Sequence, residues 1–340
     1  MRQGFQLGLG LAVLLACGSA NAQQGKPGAK PAAKPAPVAP LCEAPPPAVK
    51  DIASQPFYTD AKNSIADAVI VAKNKAALAA LDKPLRSIVT WSNRWQDKRD
   101  AAAATCGLSW LAAWAGEGAM LGTMSSRQAE YDRKWRTAGV AIAYLKLKPQ
   151  ATPEQKAAIE PWLKALALKV EATDAITKAR NNHMYWIGLS STAVGVATGD
   201  AERVATGKRM FDAGMAAIDP DGALPEELGR GSLALHYHNY ALAPLVLAAE
   251  LAAQNGQDWY ANAASLHRLA AFTHGGMANR DLIKTRAGAT QKMPSGGILG
   301  WQAFYGRRFP GWIAGLDIKG PYDYSWLGGD LTALATAWVK

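Results

Sequence analysis

Two short segments of the sequence combine side chains that could carry chemistry, and the first opens with two asparagines and a histidine. Asn181, Asn182 and His183 precede an apolar run, and Trp186 follows His183 by three positions and Asn182 by four. Residues three and four apart share one face of a helix, so an amide, an imidazole and an indole would form a surface suited to a sugar ring. Asparagine is also a common N-cap, and capping by Asn181 with core packing would explain the same residues.

The second segment runs from Leu224 to Tyr240 and contains Arg230 and Tyr237, seven positions apart. If the segment is helical, seven positions are two turns, so both side chains lie on one face about 10 Å apart along the axis. A guanidinium is a permanent cation whose fork fits a carboxylate, and a phenol can donate or accept a proton. The structural alternative is that the tyrosines are core residues and that Arg230 caps a helix.

The remaining titratable residues favour neither a metal site nor a pair of catalytic carboxylates. His236 and His238 are two positions apart and point to different helix faces, and the sequence has no HExxH motif. The three cysteines form no CxxC pair. Glu226 and Glu227 are adjacent and diverge on a helix, which disfavours the carboxylate pair of a glycoside hydrolase. We therefore expect no metal and no cofactor.

Helices must position these side chains, because apolar residues recur at i, i+3 and i+4 through most of the chain after residue 61. We predict helices over residues 63–81, 84–97, 100–116, 127–146, 154–171, 183–197, 202–218, 231–253 and 259–272. Breaks are expected at Lys83–Pro84, Leu121–Gly122, Lys148–Pro149, Thr198–Asp200 and Asp219–Gly222, and Thr152–Pro153 is a good helix start. The predicted class is all-α, an incomplete α/α toroid or barrel of antiparallel helix hairpins, with a solenoid as the alternative. Residues 284–312, rich in glycine and aromatics, are expected to form mainly loops.

Taken together, the two segments resemble the alginate lyase family of polysaccharide lyases, in its helical, mannuronate-cleaving type. His183 precedes Arg230 by 47 residues and Tyr237 by 54, and this spacing makes the match more specific than either segment alone. The likeness extends over about residues 42–310 and includes Phe57–Asp60, Trp110, Trp114, Lys134, Trp135, Tyr185 and Trp186. The resemblance implies an incomplete α/α toroid, which agrees with the helical pattern.

The resemblance also implies the roles of four catalytic residues. Asn182 and Arg230 would neutralise the uronate carboxylate, while His183 and Tyr237 would handle protons. Many family members use a further lysine near the start of the domain, and Lys62 is the candidate for that role here.

Such a site would cleave a polyuronate by β-elimination, in which the C5 proton leaves and the C4–O bond then breaks. Positive charge and hydrogen bonds at the C6 carboxylate stabilise the developing enolate. We expect Arg230 to lower the pKa of Tyr237, so that this phenol acts as base and then as acid. In mannuronate the C5 hydrogen and the C4 oxygen lie on one face of the ring, so one tyrosine could do both. For other uronates His183 could be the base on the opposite face.

Polymer binding needs further contacts, either aromatic faces that stack on sugars or cations that pair with carboxylates. The candidates are Lys62, Lys134, Trp135, Arg136, Tyr185, Trp186, Tyr240, Trp301, Tyr305, Arg307 and Arg308. For each of them, packing or ordinary surface charge would explain the residue equally well.

The N-terminus has the features of an export signal. Arg2, an apolar run that ends at Cys17, and a small-residue site at Ala22 indicate a signal peptide over residues 1–22, too short to span a bilayer. Cleavage before Cys17, as in a lipoprotein, is the alternative. Residues 23–49 are typical of a flexible Pro/Ala/Lys-rich leader, which leaves residues 50–340 for the lyase domain. An exported chain with two remaining cysteines most simply pairs them, so we predict a Cys42–Cys106 disulfide and a periplasmic or secreted location.

The formal net charge of +10 suits an acidic polysaccharide partner. The sequence has no nucleic-acid-binding motif, and export argues against such a partner; we expect no stable membrane insertion and a monomer. The expected activity is metal-independent cleavage of a uronate polymer, most simply polymannuronate. Met184, Gly229 and His236 depart from better-known alginate lyases, so polyglucuronate or hyaluronan-type substrates remain alternatives. A non-catalytic polyuronate-binding protein or an α/α glycoside hydrolase are the other classes considered.

Overall fold

The computed structural model describes residues 42–173, 180–262 and 264–339, and helices hold most of them. They are α1 (Ala68–Ala77), α2 (Ala79–Lys98), α3 (Ala101–Glu117), α4 (Arg127–Leu147), α5 (Pro153–Glu171), α6 (Asn182–Thr198), α7 (Ala201–Ala216), α8 (Pro225–Leu228), α9 (Ala234–Gln254), α10 (Ala264–Ala278), α11 (Asp281–Ala287), α12 (Trp301–Arg308) and α13 (Leu331–Trp338). Two short antiparallel strands, β1 (Asp323–Tyr324) and β2 (Gly329–Asp330), form a hairpin near the C-terminus. The predicted all-α toroid is confirmed.

Helix α6 lies at the centre of this architecture, packed against α4, α5, α7 and α9. Nearly all of its residues from Met184 to Thr198 are buried, because neighbours surround it on all sides. Its pairing with α7 is close: a side chain at Gly195 would place its Cβ 2.7 Å from the backbone nitrogen of Val204. This packing fixes the position of the first turn of α6, which carries Asn182 and His183.

Several predicted helix starts are confirmed by their capping contacts. The Asn181 side chain accepts a hydrogen bond from the His183 backbone N–H at 3.0 Å, so Asn181 is an N-cap. Thr152 and Gln155 form a reciprocal capping box at the start of α5. Between α6 and α7, Gly199 adopts the left-handed region with φ of 69°, and Asp200 caps the next helix.

Three predicted boundaries are wrong. Pro84 lies inside α2 rather than between two helices, and the break falls at Leu78 instead. The backbone hydrogen bond lost at a proline is offset here by burial of Leu81, Leu85 and Ile88 on the same helix. The predicted helix 231–253 begins only at Ala234, because Gly231 has a φ of 54°. Within the predicted loop region 284–312, residues Trp301–Arg308 form α12, whose first five residues are buried.

Part of the predicted leader is attached to the helical domain. Cys42 and Cys106 form the predicted disulfide. The Trp110 indole donates to the Glu43 carbonyl at 3.0 Å, and the Ala48 N–H donates to Glu117 at 3.0 Å. Residues 42–49 are therefore bonded to α3, a contact between remote segments that composition alone does not reveal. The predicted signal peptide and the rest of the predicted leader lie outside the described residues. Within the described ranges, no helix has the length and apolar character needed to cross a bilayer.

The C-terminal hairpin docks on α4 and is held there by a buried lysine. A Cβ at Gly139 of α4 would lie 2.4 Å from the Ser325 carbonyl oxygen, so only glycine allows this approach. Lys146, further along α4, donates to the Gly328 carbonyl at 2.6 Å and to Asn93 Oδ1 of α2 at 2.5 Å. These contacts place Trp326, at the tip of the hairpin, beside the cleft described next.

Candidate active site

A cleft of about 810 Å³ opens between the N-terminal segment and the helices around α6. Residues 56–78 supply one wall, and residues of α4, the start of α6, the turn before α9, α9 itself and the hairpin supply the others. Three of the four predicted catalytic residues, His183, Arg230 and Tyr237, line this single cleft. The fourth, Asn182, lies directly behind it and is fully buried.

His183 is fixed from two sides by residues of α4. The Tyr131 ring stacks on the imidazole with ring centroids 3.7 Å apart and planes inclined by 17°. Lys134 Nζ lies 3.1 Å from His183 Nδ1 and donates to the His183 carbonyl oxygen at 3.3 Å. Burial, together with the charges of Lys134, Arg230 and Arg127, holds the pKa of His183 well below its usual value. The imidazole is therefore neutral at physiological pH.

Asn182 and Arg230 are connected through a buried carboxylate, Glu227, to which the sequence analysis assigned no role in the site. Glu227 Oε1 accepts hydrogen bonds from the Asn182 backbone N–H at 2.8 Å and from its side-chain amide at 3.0 Å. Glu227 Oε2 lies 3.7 Å from Arg230 Nε. Burial raises the pKa of Glu227, while Asn182 and Arg230 oppose that rise. The predicted divergence of the adjacent glutamates is confirmed, because Glu226 lines the cleft and Glu227 points away from it.

Arg230 and Tyr237 meet, although not through a continuous helix. Arg230 precedes the single 3-10 turn Gly231–Leu233, and Tyr237 lies in the first turn of α9. The Arg230 guanidinium carbon lies 4.1 Å from the Tyr237 ring centroid, a cation–π contact. The Tyr237 hydroxyl is 2.7 Å from the hydroxyl of Tyr58, which belongs to the opposite wall.

The expected lowering of the Tyr237 pKa is wrong. Burial and the neighbouring Tyr58 raise the Tyr237 pKa, and the opposing charge of Arg230 does not outweigh them. The reason is geometric, since the guanidinium faces the aromatic ring and desolvation acts on the phenol oxygen. In this environment Tyr237 is therefore a neutral phenol.

An aromatic wall continues the cleft beyond this centre. Trp135 and Trp326 stack with ring centroids 4.7 Å apart and an interplanar angle of 8°. The Arg136 guanidinium carbon lies 5.3 Å from the Trp326 ring, and both residues line the cleft. Tyr240, also in the lining, contacts Trp135 edge-on. Arg136 is 1 % exposed and paired with Asp82 and Asp132, so this wall offers flat aromatic faces for a sugar ring but no net positive charge.

The predicted polymer-binding residues divide into two groups by position. Lys62, Trp135, Arg136 and Tyr240 line the cleft. The others are absent from its lining: Lys134, Tyr185, Trp186, Trp301, Tyr305, Arg307 and Arg308.

Burial explains most of this second group. The Trp186 indole donates to the Tyr240 carbonyl at 3.0 Å, and the Trp301 indole donates to Asn239 at 2.9 Å. Tyr185 donates to the Arg180 carbonyl, and Tyr305 contacts His267 Nδ1 at 2.7 Å. These four aromatic rings are at most 1 % exposed and leave no surface for a sugar, so packing is their role in this structure.

Sequence reasoning missed four residues that complete the cleft: Tyr58, Arg127, Tyr131 and Trp326. Tyr131 has a detectable signal, because it stands three positions before Lys134 and so shares its helix face. Trp326 has none, since a hairpin 143 positions after His183 brings it to the site. Within the described ranges, no group of three or more histidine, cysteine, aspartate or glutamate side chains is placed to hold a metal ion.

The alginate lyase family matches residues 47–283. A polysaccharide lyase of Stenotrophomonas maltophilia is 43 % identical over 302 residues, covering 87 % of this chain and 91 % of that protein. An alginate lyase of Azotobacter chroococcum is 32 % identical over 281 residues, covering 77 % and 76 % of the two chains.

Solved structures with a similar fold come from alginate lyase A1-III, including an enzyme from Sphingomonas species A1. A variant of A1-III with a histidine replaced by alanine, complexed with tetrasaccharide, gives a TM-score of 0.77 at 28 % identity. The alignment covers 86 % of this chain and 85 % of that chain. A tyrosine-to-phenylalanine variant, also complexed with tetrasaccharide, gives the same TM-score at 27 % identity.

Proposed function

Because this chain belongs to the alginate lyase family and is a polysaccharide lyase that acts on alginate, we propose that it cleaves polymannuronate by metal-independent β-elimination. The observation that carries the proposal is the convergence of His183, Arg230 and Tyr237 on one cleft. The residues substituted in the two A1-III complexes are a histidine and a tyrosine 54 positions apart, the separation of His183 and Tyr237 here.

The first requirement of the reaction is stabilisation of the enolate that forms when C5 loses its proton. Arg230 supplies a permanent positive charge at the cleft surface, and Arg127 adds a second. Glu227, bonded to Asn182 and close to Arg230, keeps the arginine in place. Fixed charges and donors of this kind act without reorganisation as negative charge develops on the substrate carboxylate. In this account Asn182 contributes from behind the cleft, by way of Glu227.

The second requirement is a group that accepts the C5 proton and one that protonates O4. Burial raises the pKa of Tyr237, so the phenol is protonated and can act as the acid. To act as the base it must first release its own proton, and the 2.7 Å hydrogen bond to the half-buried Tyr58 provides a route towards solvent. In mannuronate both transfers occur on one ring face, which suits a single phenol. The proton taken from C5 is then given to O4, which leaves Tyr237 as the phenolate, and a proton returned from solvent by way of Tyr58 restores the phenol.

Substitution at Tyr237 tests this assignment. We expect Tyr237→Phe to lower kcat for polymannuronate by about 10²- to 10⁴-fold, the usual range for losing a general acid–base group. Tyr305→Phe is the matched control, because Tyr305 is also a buried tyrosine but its hydroxyl contacts His267 outside the cleft. The rate is measured from the ultraviolet absorbance of the new double bond. A Tyr237→Phe enzyme with wild-type turnover would remove Tyr237 from the mechanism.

Metal independence is part of the same proposal and has its own test. Arg127 and Arg230 line the cleft and can supply the positive charge that a metal would otherwise bring to the substrate carboxylate. Dialysis against EDTA is expected to leave turnover unchanged. Loss of activity that added divalent metal restores would contradict this part of the account.

We also propose a monomeric enzyme that is exported to the periplasm or the medium. The Cys42–Cys106 disulfide supports export, because such bonds persist in oxidising compartments. Cell fractionation with thiol labelling tests the location, and light scattering tests the oligomeric state. A cytoplasmic protein with two free thiols would contradict the export proposal.

A further inference from the structure

The side chain of Lys134 is buried, and its terminal nitrogen contacts His183 rather than solvent or a carboxylate. The residue is 1 % exposed, and it donates to the His183 carbonyl while also lying 3.1 Å from His183 Nδ1. Among the described residues, no carboxylate forms an ion pair with it. A lysine held in this way needs another explanation than charge pairing, since burial of an unpaired cation is unfavourable.

Burial lowers the pKa of this lysine well below its usual value, and the contacts around its Nζ offset part of that cost to the cation. Lys134 Nζ lies 4.5 Å from the Tyr131 ring centroid and 5.7 Å from that of Trp135, so two aromatic faces stabilise the cation. The charge of Asp132 acts in the same direction, whereas burial lowers the lysine pKa. An ammonium group has three donors and no acceptor, so its contact with Nδ1 requires a lone pair on that nitrogen.

We propose that Lys134 is a positioning residue that holds neutral His183 in the tautomer with its proton on Nε2. The imidazole carries one proton, and Lys134 occupies Nδ1, so the proton is confined to the other nitrogen. His183 then presents an N–H donor, and it cannot accept the C5 proton. The stacked Tyr131 keeps the ring from rotating out of this arrangement.

The consequence for catalysis rests on the proposed lyase function. A donor at His183 Nε2 binds the uronate carboxylate and helps Arg230 to stabilise the enolate. All proton abstraction then falls to Tyr237. The His183 tautomer can be measured without any substrate. A failure of the tautomer proposal can therefore be distinguished from a failure of the proposed lyase function.

The chain offers a closely matched control for this lysine. Lys148, fourteen positions after Lys134, donates to the Ala197 carbonyl of α6 at 2.7 Å and also pairs with Glu160 at 3.0 Å. Lys134 donates to the His183 carbonyl, fourteen positions before Ala197. Both lysines thus join the α4 region to α6 through a backbone carbonyl, but only Lys134 reaches an imidazole.

The decisive measurement is ¹⁵N NMR of the imidazole nitrogens in protein labelled at its five histidines. The His183 signals are assigned by their loss in His183→Gln. In the wild type and in Lys148→Met, we expect Nε2 to be protonated and Nδ1 to be the unprotonated nitrogen. In Lys134→Met, we expect a mixture of tautomers or a shift to Nδ1–H. A wild-type spectrum with the proton on Nδ1 would overturn the proposal, and this arm does not depend on how well any variant folds.

Kinetics provide the second readout. Loss of a partner that orients a catalytic group commonly costs about 10- to 100-fold, so kcat of Lys134→Met is expected to fall by that factor with little change in KM. Lys148→Met is expected to retain wild-type kcat. Equal losses in both lysine variants would mean that Lys134 only joins helices, and would contradict the proposal. If the NMR result is as expected but no polyuronate is cleaved, the tautomer assignment stands and the proposed function fails.

Discussion

Two substitutions of Glu227 distinguish its contribution to the stability of the fold from its contribution to the position of Arg230 in the cleft. Its Oε1 accepts both the backbone N–H and the side-chain N–H of Asn182, at a position with no solvent exposure. Glu227→Ala leaves two buried donors without an acceptor, at about 1–3 kcal/mol each. We therefore expect the free energy of unfolding to fall by about 2–6 kcal/mol, apart from any loss of packing.

Glu227→Gln keeps the accepting oxygen and removes only the charge. The Asn182 hydrogen bonds can persist, and burial already disfavours the ionised carboxylate, so the unfolding free energy should change much less than in Glu227→Ala. In the wild type, Arg230 Nε lies 3.7 Å from Glu227 Oε2. In Glu227→Gln, an amide N–H donor at that position would face the N–H donor of Arg230 and repel it. Displacement of Arg230 from the cleft is expected to lower kcat/KM by about 10²- to 10³-fold, the effect of losing one donor at a developing anion.

Urea unfolding measures the first quantity, and the absorbance of unsaturated product measures the second. Glu226→Gln is the control for stability, because Glu226 is exposed and makes no hydrogen bond to Asn182. If Glu227→Ala unfolds at the wild-type urea concentration, the Asn182–Glu227 contacts do not support the fold. If Glu227→Gln keeps full kcat/KM, Arg230 does not depend on Glu227 for its position.

Three further outcomes are expected. Trp326→Ala should raise KM for the polymer by about two- to tenfold with kcat nearly unchanged, because one aromatic contact contributes about 0.5–1.5 kcal/mol. An unaltered KM would mean that Trp326 does not belong to the binding surface. Burial lowers the pKa of Lys146 to about 7, despite Asp97, Asp323 and Asp330. Between about pH 7 and 10 the unfolded chain then binds more protons at this site, so the unfolding free energy of wild type relative to Lys146→Met should rise with pH, and a flat difference would contradict the shift. Removal of the disulfide in Cys42→Ser/Cys106→Ser should lower the unfolding free energy by about 4 kcal/mol for a sequence separation of 64, whereas an unchanged urea midpoint would mean that the bond contributes nothing.

The helical architecture was predictable because its signals are local. Apolar periodicity located the long helices, and the caps at Thr152, Asn181 and Asp200 follow from side chains next to the helix ends. Pro84 misled the prediction because its cost is local, while the compensating burial of α2 depends on partners far away in the chain. Residues 42–49 were missed for the same reason, since remote contacts with α3 hold them.

The site could be predicted only in part. The resemblance paired His183 with Tyr237, and the structure brings both to one cleft. Helix geometry put Trp186 on the face of His183, yet α6 is surrounded by helices and its faces are all buried. The partners that tune the catalytic groups, Glu227 and Lys134 among them, act through distances that sequence spacing does not fix. Whether the Tyr237 pKa is raised or lowered likewise depends on how deeply the phenol is buried.

The central claim is that this cleft breaks a uronate polymer by elimination, and the mass of the products tests it most directly. Purified enzyme is incubated with polymannuronate in the presence of EDTA, and the oligosaccharides are analysed by mass spectrometry. The account predicts oligosaccharides that weigh one water less than the corresponding hydrolysis products, apart from the one fragment that carries each chain's original non-reducing end, and it predicts that Tyr237→Phe forms them far more slowly. Products that all have the full hydrolytic mass, or an uncut polymer that merely binds, would contradict it.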